Sequence, residues 1–379
     1  MKHKALLAVV AVAAVAVGGA YVALSRGSGA GAPQAGGPFL PEIAAKSAAI
    51  ARIEIERGAD RIELVKEGDA WKLASSDGYP ARFEEAKAIV SGLSTLKIDQ
   101  KMTARKERHA DLALAWPEAA GDANAAGGPT AAGRAARVRL YEAGASEPFV
   151  DVILGEERAN PRAQFVRKTA DDQTWRVLGS VLADIEARRW VEAELVTLPE
   201  NEVTAVRWNG LEIKGTAAED GKMSYAADAP SAPTAFEWTD ARRLAAVRAM
   251  PSWLSRLELD GVRKAKGGEP DPALSPEFEM VRGTLKVRGV REGDEVWISF
   301  DAAPKDGAPS AAEINAKKRF PGDPFVPDWK DFAAKHAGWE YRLPSWKTTP
   351  LDEPATIPVA APEGEPDPTA PTQLPSAGG

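Results

Sequence analysis

The stretch Ala5–Leu24, ALLAVVAVAAVAVGGAYVAL, constrains this chain more than any other: twenty residues without a charged side chain. As a helix rising 1.5 Å per residue it would span roughly 30 Å, the thickness of a bilayer's hydrocarbon core. Lys2 and Lys4 precede the run and only Arg26 follows closely. Positive charge on the N-terminal side favours a cytoplasmic N-terminus. The expectation is a cytoplasmic stub over 1–4 and a single-pass transmembrane anchor over 5–24, touching membrane lipid. The body would then stand on the periplasmic, extracytoplasmic side of the inner (cytoplasmic) membrane. A cleaved signal peptide is the competing reading, since small residues crowd the end of the run. Signal-peptide apolar regions are usually shorter, roughly 7–15 residues. A buried core helix fits less well, because the run is apolar all round and a flexible tract follows it.

Residues 25–40 include SRGSGAGAPQAGG, a composition that makes a flexible tether. From Pro350 to Gly379 the chain is rich in Pro and acidic residues with few large apolar groups. Such a tail buries too little to offset its ordering entropy, which predicts disorder over 350–379. A third loose stretch, 118–134, is rich in Ala and Gly and reads as an exposed loop. Between the ends, 44% hydrophobic residues across the whole chain and eleven tryptophans, all beyond the N-terminal run, suffice for several packing centres.

The body reads as α+β, in repeated antiparallel β-meander plus helix modules over 41–200 and 201–349. Ile53 and Ile55 alternate with Arg52, Glu54 and Glu56; Ile62, Leu64 and Val65 follow a Gly58 turn; Trp71 and Leu73 follow Gly68-Asp69. Three short alternating segments joined by Gly/Asp turns predict a meander. Ala86, Ile89, Val90, Leu93 and Leu96 have helical spacing, and Ile98 opens another strand. The same order recurs about 150 residues later. Val203, Val206 and Trp208 lead through Asn209-Gly210 to Leu211 and Ile213, then to Met223 and Tyr225. A helix over Thr239–Met250 follows, capped by Thr239 or Asp240, and then Leu257 and Leu259. Strands are also expected at Val138–Leu140, Phe149–Leu154, Gln164–Arg167 and Thr174–Leu178, then a helix over Ser180–Leu195. The last piece has strands at Leu285–Val287 and Val296–Phe300, a helix at Trp329–Lys335 and a strand at Trp339–Leu343.

The run IARIEIERGADRIELVKEGDAWKL, the YPA at Tyr79–Ala81, the helix ending LSTLKI, and later VILGEE, QFVRK, TWRVL, Arg188-Arg189-Trp190 and EVTAVRWNG resemble a bacterial family known only as domain of unknown function 4340 (DUF4340). The resemblance runs from about Ile50 to Leu259, and the 118–134 insertion and the Pro-rich tail depart from it. It implies one N-terminal transmembrane helix, an extracytoplasmic body and a gene often beside subunits of a gliding-motility-type ABC transporter. It brings no catalytic residues.

The residues themselves offer little chemistry. There are no cysteines, so disulfides, thiolate metal sites and cysteine nucleophiles are excluded. A net charge of -7 and short basic clusters (Arg105, Lys106 and Arg108; Lys317–Arg319) argue against nucleic acid as a partner. No Walker A, Gly-x-Gly-x-x-Gly, Gly-x-Ser-x-Gly or His-Glu-x-x-His motif occurs. His3 lies in the stub; His109 and His336 read as exposed or capping histidines. Acid pairs stand at Glu84-Glu85, Glu156-Glu157 and Asp171-Asp172, and Asp111 goes with Glu118, but helix starts and turns explain such pairs. Trp71 and Trp208 read as core, and so does the Trp329, Trp339, Trp346 group. No catalytic, cofactor-binding or metal residue is assigned. The expectation is a non-catalytic binding or scaffold protein whose partners are transporter subunits or an envelope complex. An envelope hydrolase using paired carboxylates is the alternative, and a spacer presenting the Pro-rich tail is a third reading.

Overall fold

The computed structural model describes residues 35–116, 135–218, 222–228, 230, 234, 237–308, 310–316 and 327–352. The expected stub, anchor and 118–134 loop, the tether up to residue 34 and nearly all of the tail lie outside these residues. No helix among the described residues is long and apolar enough to cross a membrane. The protein is α+β, built mostly from antiparallel sheets with several helices. It divides into two compact units: one reaches to Ala193 and takes in Asp260–Lys264, and the other comprises Glu194–Leu259 and the chain from Ala265 onward.

The first unit contains α1 (Glu42–Lys46), β1 (Ile50–Arg57), β2 (Asp60–Glu67), β3 (Ala70–Leu73), β4 (Tyr79–Ala81), α2 (Phe83–Thr95) and β5 (Lys97–Lys101). It continues with β6 (Ala136–Glu142), β7 (Val150–Arg158), β8 (Ala163–Lys168), β9 (Thr174–Leu178) and α3 (Ala187–Trp190). Its sheet runs β4-β3-β2-β1-β6-β7-β8-β9-β5. The four strands expected as a separate piece are thus inserted into the meander's own sheet, with β6 antiparallel to β1 and Leu140 opposite Ile53. Ile53, Ile55, Leu64, Val138, Leu140 and Val152 are fully buried on one face, and α2 adds Ala86, Ile89 and Leu93 to the core.

The tether is shorter than expected at its far end. Gly36 and Phe39 donate backbone hydrogen bonds to Ile98 and Leu96, Pro38 bridges Lys97, and Phe39 and Leu40 are buried. The helix expected over Ser180–Leu195 is also corrected: only Ala187–Trp190 is helical. Residues 180–186 form neither helix nor strand, and two of their backbone groups find side-chain partners instead. Val181 N donates to Gln164 Oε1 at 3.0 Å and Arg57 Nη2 donates to Ala183 O at 2.8 Å. Val181 lies against Gly92 of α2, and Trp190 is buried with its indole N–H on Asp184 O.

A strap over 102–116 closes part of the sheet's other face. Leu114, Ala135, Ile153 and Phe165 form a small second core, flanked by Met102, Leu112 and Trp116. Gly155 of β7 permits the close approach: a Cβ there would lie 2.4 Å from Leu112 O and 2.9 Å from Leu114.

The second unit contains β10 (Glu194–Val196), β11 (Val203–Trp208), β12 (Leu211–Ala217), β13 (Met223–Ala227), α4 (Asp240–Ala249) and β14 (Leu257–Glu258). After β15 (Gly261–Lys264), which belongs to the first unit, come β16 (Glu277–Met280), β17 (Gly283–Glu292), β18 (Glu295–Pro304), α5 (Ala311–Ala316), α6 (Trp329–His336), β19 (Trp339–Arg342) and α7 (Ser345–Asp352). β10, placed above with the first module, pairs instead with β14. The sheet runs β13-β12-β11-β16-β17-β18-β19, the order of the first sheet's meander and insertion. Asn209 and Gly210 turn between β11 and β12 with positive φ, which both residue types tolerate. Thr239 caps α4 and Asp328 caps α6.

Trp208 and Trp253 are core residues; Trp253 stacks on Phe278 and exchanges hydrogen bonds with Lys347, whose ammonium donates to Trp253 O at 2.7 Å. Two tail-end expectations change. Pro350–Asp352 complete α7 with Leu351 buried, and Trp346 is 58% exposed rather than core.

The strap's closeness to Gly155 is testable. Gly155→Ala forces Leu112 and Leu114 outward, and we expect a loss of about 1–3 kcal/mol in urea unfolding with faster proteolysis within 102–116. Wild-type stability in this variant would refute the packing described.

Candidate functional site

Period-two alternation places Arg52, Glu54 and Glu56 opposite the buried Ile53 and Ile55. The ladders bring Arg61 and Glu63 of β2 to one side and Arg137, Arg139 and Tyr141 of β6 to the other, with Asp151 of β7 beyond. These side chains form a dense polar cluster in the first unit. Its centre is Glu54, only 3% exposed. Tyr141 Oη donates to Glu54 Oε2 and Arg61 Nη2 to Oε1, both at 2.8 Å. Arg139 Nη2 lies 3.0 Å from Oε2 and Arg52 Nη1 3.3 Å from Oε1. Arg139 also bonds Glu56, and Arg137 grips Asp151 with two bonds of 2.8 and 2.6 Å. The Arg52 guanidinium lies 3.6 Å over the Tyr141 ring. One donor, Arg139 Nε, is buried without an acceptor.

Burial, and then the bond to Glu54, push the Tyr141 phenol up to about 12 against the lowering effect of Arg139. It is therefore a fixed donor. Burial raises Asp151, but hydrogen bonds from Arg137 and Thr169 outweigh it and hold the carboxyl below its usual range. Neither group is poised for proton transfer near neutrality. The arrangement fixes the strands rather than offering a reagent.

The second unit carries a lattice of opposite polarity. Arg207 meets Glu279 at 2.6 Å, Glu212 at 3.3 Å and Glu277 at 3.6 Å, and Lys214 and Lys286 complete the pattern. These side chains are much more exposed than Glu54, so their pairs contribute little each.

The acids singled out in the sequence do not gather. Glu85 pairs with Arg82 and Arg189, and Glu84 with Lys87, around the start of α2. Glu156 pairs with Arg158, Asp172 with Lys106 and Asp111 with Arg108, while Asp171 accepts Gln173 N in a turn. Glu157 stands opposite Gln164 in the β7–β8 ladder, and Glu118 lies outside the described residues. Among the described residues no group of three or more His, Cys, Asp or Glu is placed to hold a metal ion.

Both described histidines correct the sequence reading, since both are buried. His109 joins Asp172 O through Nε2 at 2.9 Å and pins the strap. His336 is 2% exposed and shares a 2.6 Å hydrogen bond with Tyr341 Oη beside Phe300 and Phe332. Burial first, then the charge of Lys335, lower its pKa to about 4.

Two predictions follow from this chemistry. Glu54→Ala strands the arginines around it and is expected to cost about 3–5 kcal/mol in urea unfolding, against about 1 kcal/mol for Tyr141→Phe. An E54A cost no larger than that of Arg207→Ala would contradict the central role of the carboxylate. For His336 the folded pKa lies below the ordinary imidazole value of about 6.5. Protons thus favour the unfolded state, and the stability present above pH 6.5 is lost as pH falls through about 4. The gap corresponds to about 3 kcal/mol. His336→Phe should flatten that part of the pH profile; an unchanged acid slope would rule the imidazole out as its source.

No curated protein and no solved structure matches the chain. A family model described as a domain of unknown function, DUF4340, matches residues 71–273, from β3 past β15 and over more than half of the sequence. The chain belongs to the DUF4340 family.

Proposed function

We propose that this is a membrane-anchored, extracytoplasmic, non-catalytic binding or scaffold protein, an accessory component of a gliding-motility-type ABC transporter or of an envelope complex. The uncharged run Ala5–Leu24 behind Lys2 and Lys4 carries the reading. The body it tethers is one meander-plus-helix module used twice, a reading supported by the strand order the two sheets share. The transporter as partner rests on the resemblance alone. In the polar clusters Glu54 and Tyr141 are committed to each other and to arginines, and most of the paired acids to neighbouring cations and turns, which favours the non-catalytic side of the reading.

Crosslinking of the full-length chain in its membrane, followed by mass spectrometry, tests the proposal. The protein should stay in the membrane pellet through alkaline carbonate washing, a variant lacking residues 2–24 should not, and transporter subunits should be recovered as crosslinked partners. Release of the full-length chain by carbonate would overturn the anchor. Recovery of the protein crosslinked only to itself would overturn the accessory role in favour of a self-assembling spacer.

A further inference from the structure

The eight-residue helix α7 cannot hold itself. Isolated helices shorter than about 12–15 residues are marginal in water, and Pro350 within it has no N–H to donate to Trp346 O. Its persistence therefore depends on what docks it to the second unit. Leu351 is buried, and the turn Trp253–Ser255 grips the other end. Trp253 Nε1 donates to Lys347 O at 3.0 Å, and Lys347 Nζ donates to Trp253 O at 2.7 Å. Trp253 is in turn fixed by its stack on Phe278, with ring centroids 5.8 Å apart.

A lysine is a costly choice for that position. Lys347 is 6% exposed, and among the described residues no carboxylate lies within ion-pairing distance of it. Its ammonium has the Trp253 carbonyl as acceptor, and the Trp253 and Trp346 indoles lie 5.9 and 5.2 Å from Nζ. A carbonyl and two rings solvate an ammonium less well than water does, whereas a neutral amine can keep the same hydrogen bond. Burial accordingly lowers the Lys347 pKa from 10.5 to about 8, with Glu258 favouring the charge and Arg256 opposing it. Those two are paired with each other at 2.8 Å. Of the other elements packed on α7, the turn Pro272–Leu274 carries no charge. In β18, Glu295 is held by Arg342, and Asp301 faces Lys286 across the ladder.

We infer that Lys347 and Trp253 form a pH-sensitive latch for α7, which holds the helix when the amine is neutral and loosens it when the amine is charged. The docked amine gives up its proton more readily than a free lysine, so protons favour the undocked helix. Docking therefore strengthens as pH rises through about 8 and gains nothing further above 10.5. Below about pH 7 the amine is charged in both states, and docking stays at its weak limit. Undocking uncovers the Trp253 indole and the seat of Leu351, so one proton controls how much apolar surface the second unit presents. The inference depends neither on the anchor nor on the transporter partner.

Hydrogen exchange of the full chain in nonionic detergent tests the latch, with mass spectrometry at pH 7 and pH 9 and correction for the chemical exchange rate. Protection of the α7 amides is expected to rise about tenfold between the two pH values, while α4 keeps its protection. Lys347→Met removes the charge and should show one level of protection at both pH values. Lys347→Arg, which stays charged, should show weak protection at both. The wild-type chain alone gives the primary result, so the test survives a folding failure of either variant. Protection of α7 that does not change with pH in the wild type, or that rises equally in K347M, would overturn the inference.

Discussion

The pairing of β6 with β1 is the contact on which the first unit's architecture rests. It joins a strand near residue 50 to one near residue 140, across the helix, the strap and the 118–134 stretch. Forming it closes a long loop, an entropic cost that grows only slowly with length. The return comes on both faces at once. Leu140 and Val138 complete the core against Ile53 and Ile55, while Arg139 and Tyr141 arrive beside Glu54 on the other face. A slip of one residue would exchange these faces, setting charges in the core and isoleucines outside. The buried carboxylate and its arginines thus make the register close to all-or-none. The β11–β16 pairing has the same place in the second sheet, with Phe278 opposite Val206.

The two lattices differ in burial more than in composition. At Glu54 the carboxylate is removed from water, so each missing partner would leave an uncompensated charge in a poor solvent. At Arg207 water competes with every glutamate, and the loss of one is tolerated. Using an acid as the buried centre in one unit and a cation as the exposed centre in the other keeps each outer sheet face nearly neutral. Neither face then presents an extended field to a ligand, which is why no binding surface emerges from the middle of either sheet.

Much of this was legible in the sequence, and what was missed has a physical pattern. The meanders, the α2, α4 and α6 helices and the Thr239 cap of α4 follow from local periodicity and turn chemistry, all short-range signals. Period-two alternation also put Arg52, Glu54 and Glu56 on one face. It does not say what stands opposite them, because the partners come from β6 and pairing partners are not a local property. The same limit hid the insertion of β6–β9 into the first sheet and of β16–β19 into the second. The helix expected over 180–195 failed for a related reason: its apolar residues fit helical spacing, but Gln164 and Arg57, distant in sequence, offered the backbone an extended alternative. His109 and His336 were misjudged because charged or small neighbours hide the burial of a ring that packs against other strands and turns.

The register break at Ala51 shows where such a self-neutralising surface loses its regular pairing. Within the ladder, four arginines (52, 61, 137 and 139) face four acids (54, 56, 63 and Asp151), and the regular spacing of strands lets each find an opposite. A bulge inserts a residue without a counterpart and re-aims its neighbours. At that point the alternation of the strands alone no longer sets which charges meet. Ala51 has no counterpart in β6, and at this end of the sheet Glu142 pairs with Lys46 of α1 rather than with a cation of a neighbouring strand. Charge matching at the sheet's end therefore draws on a helix, a partner that strand alternation in the sequence does not announce.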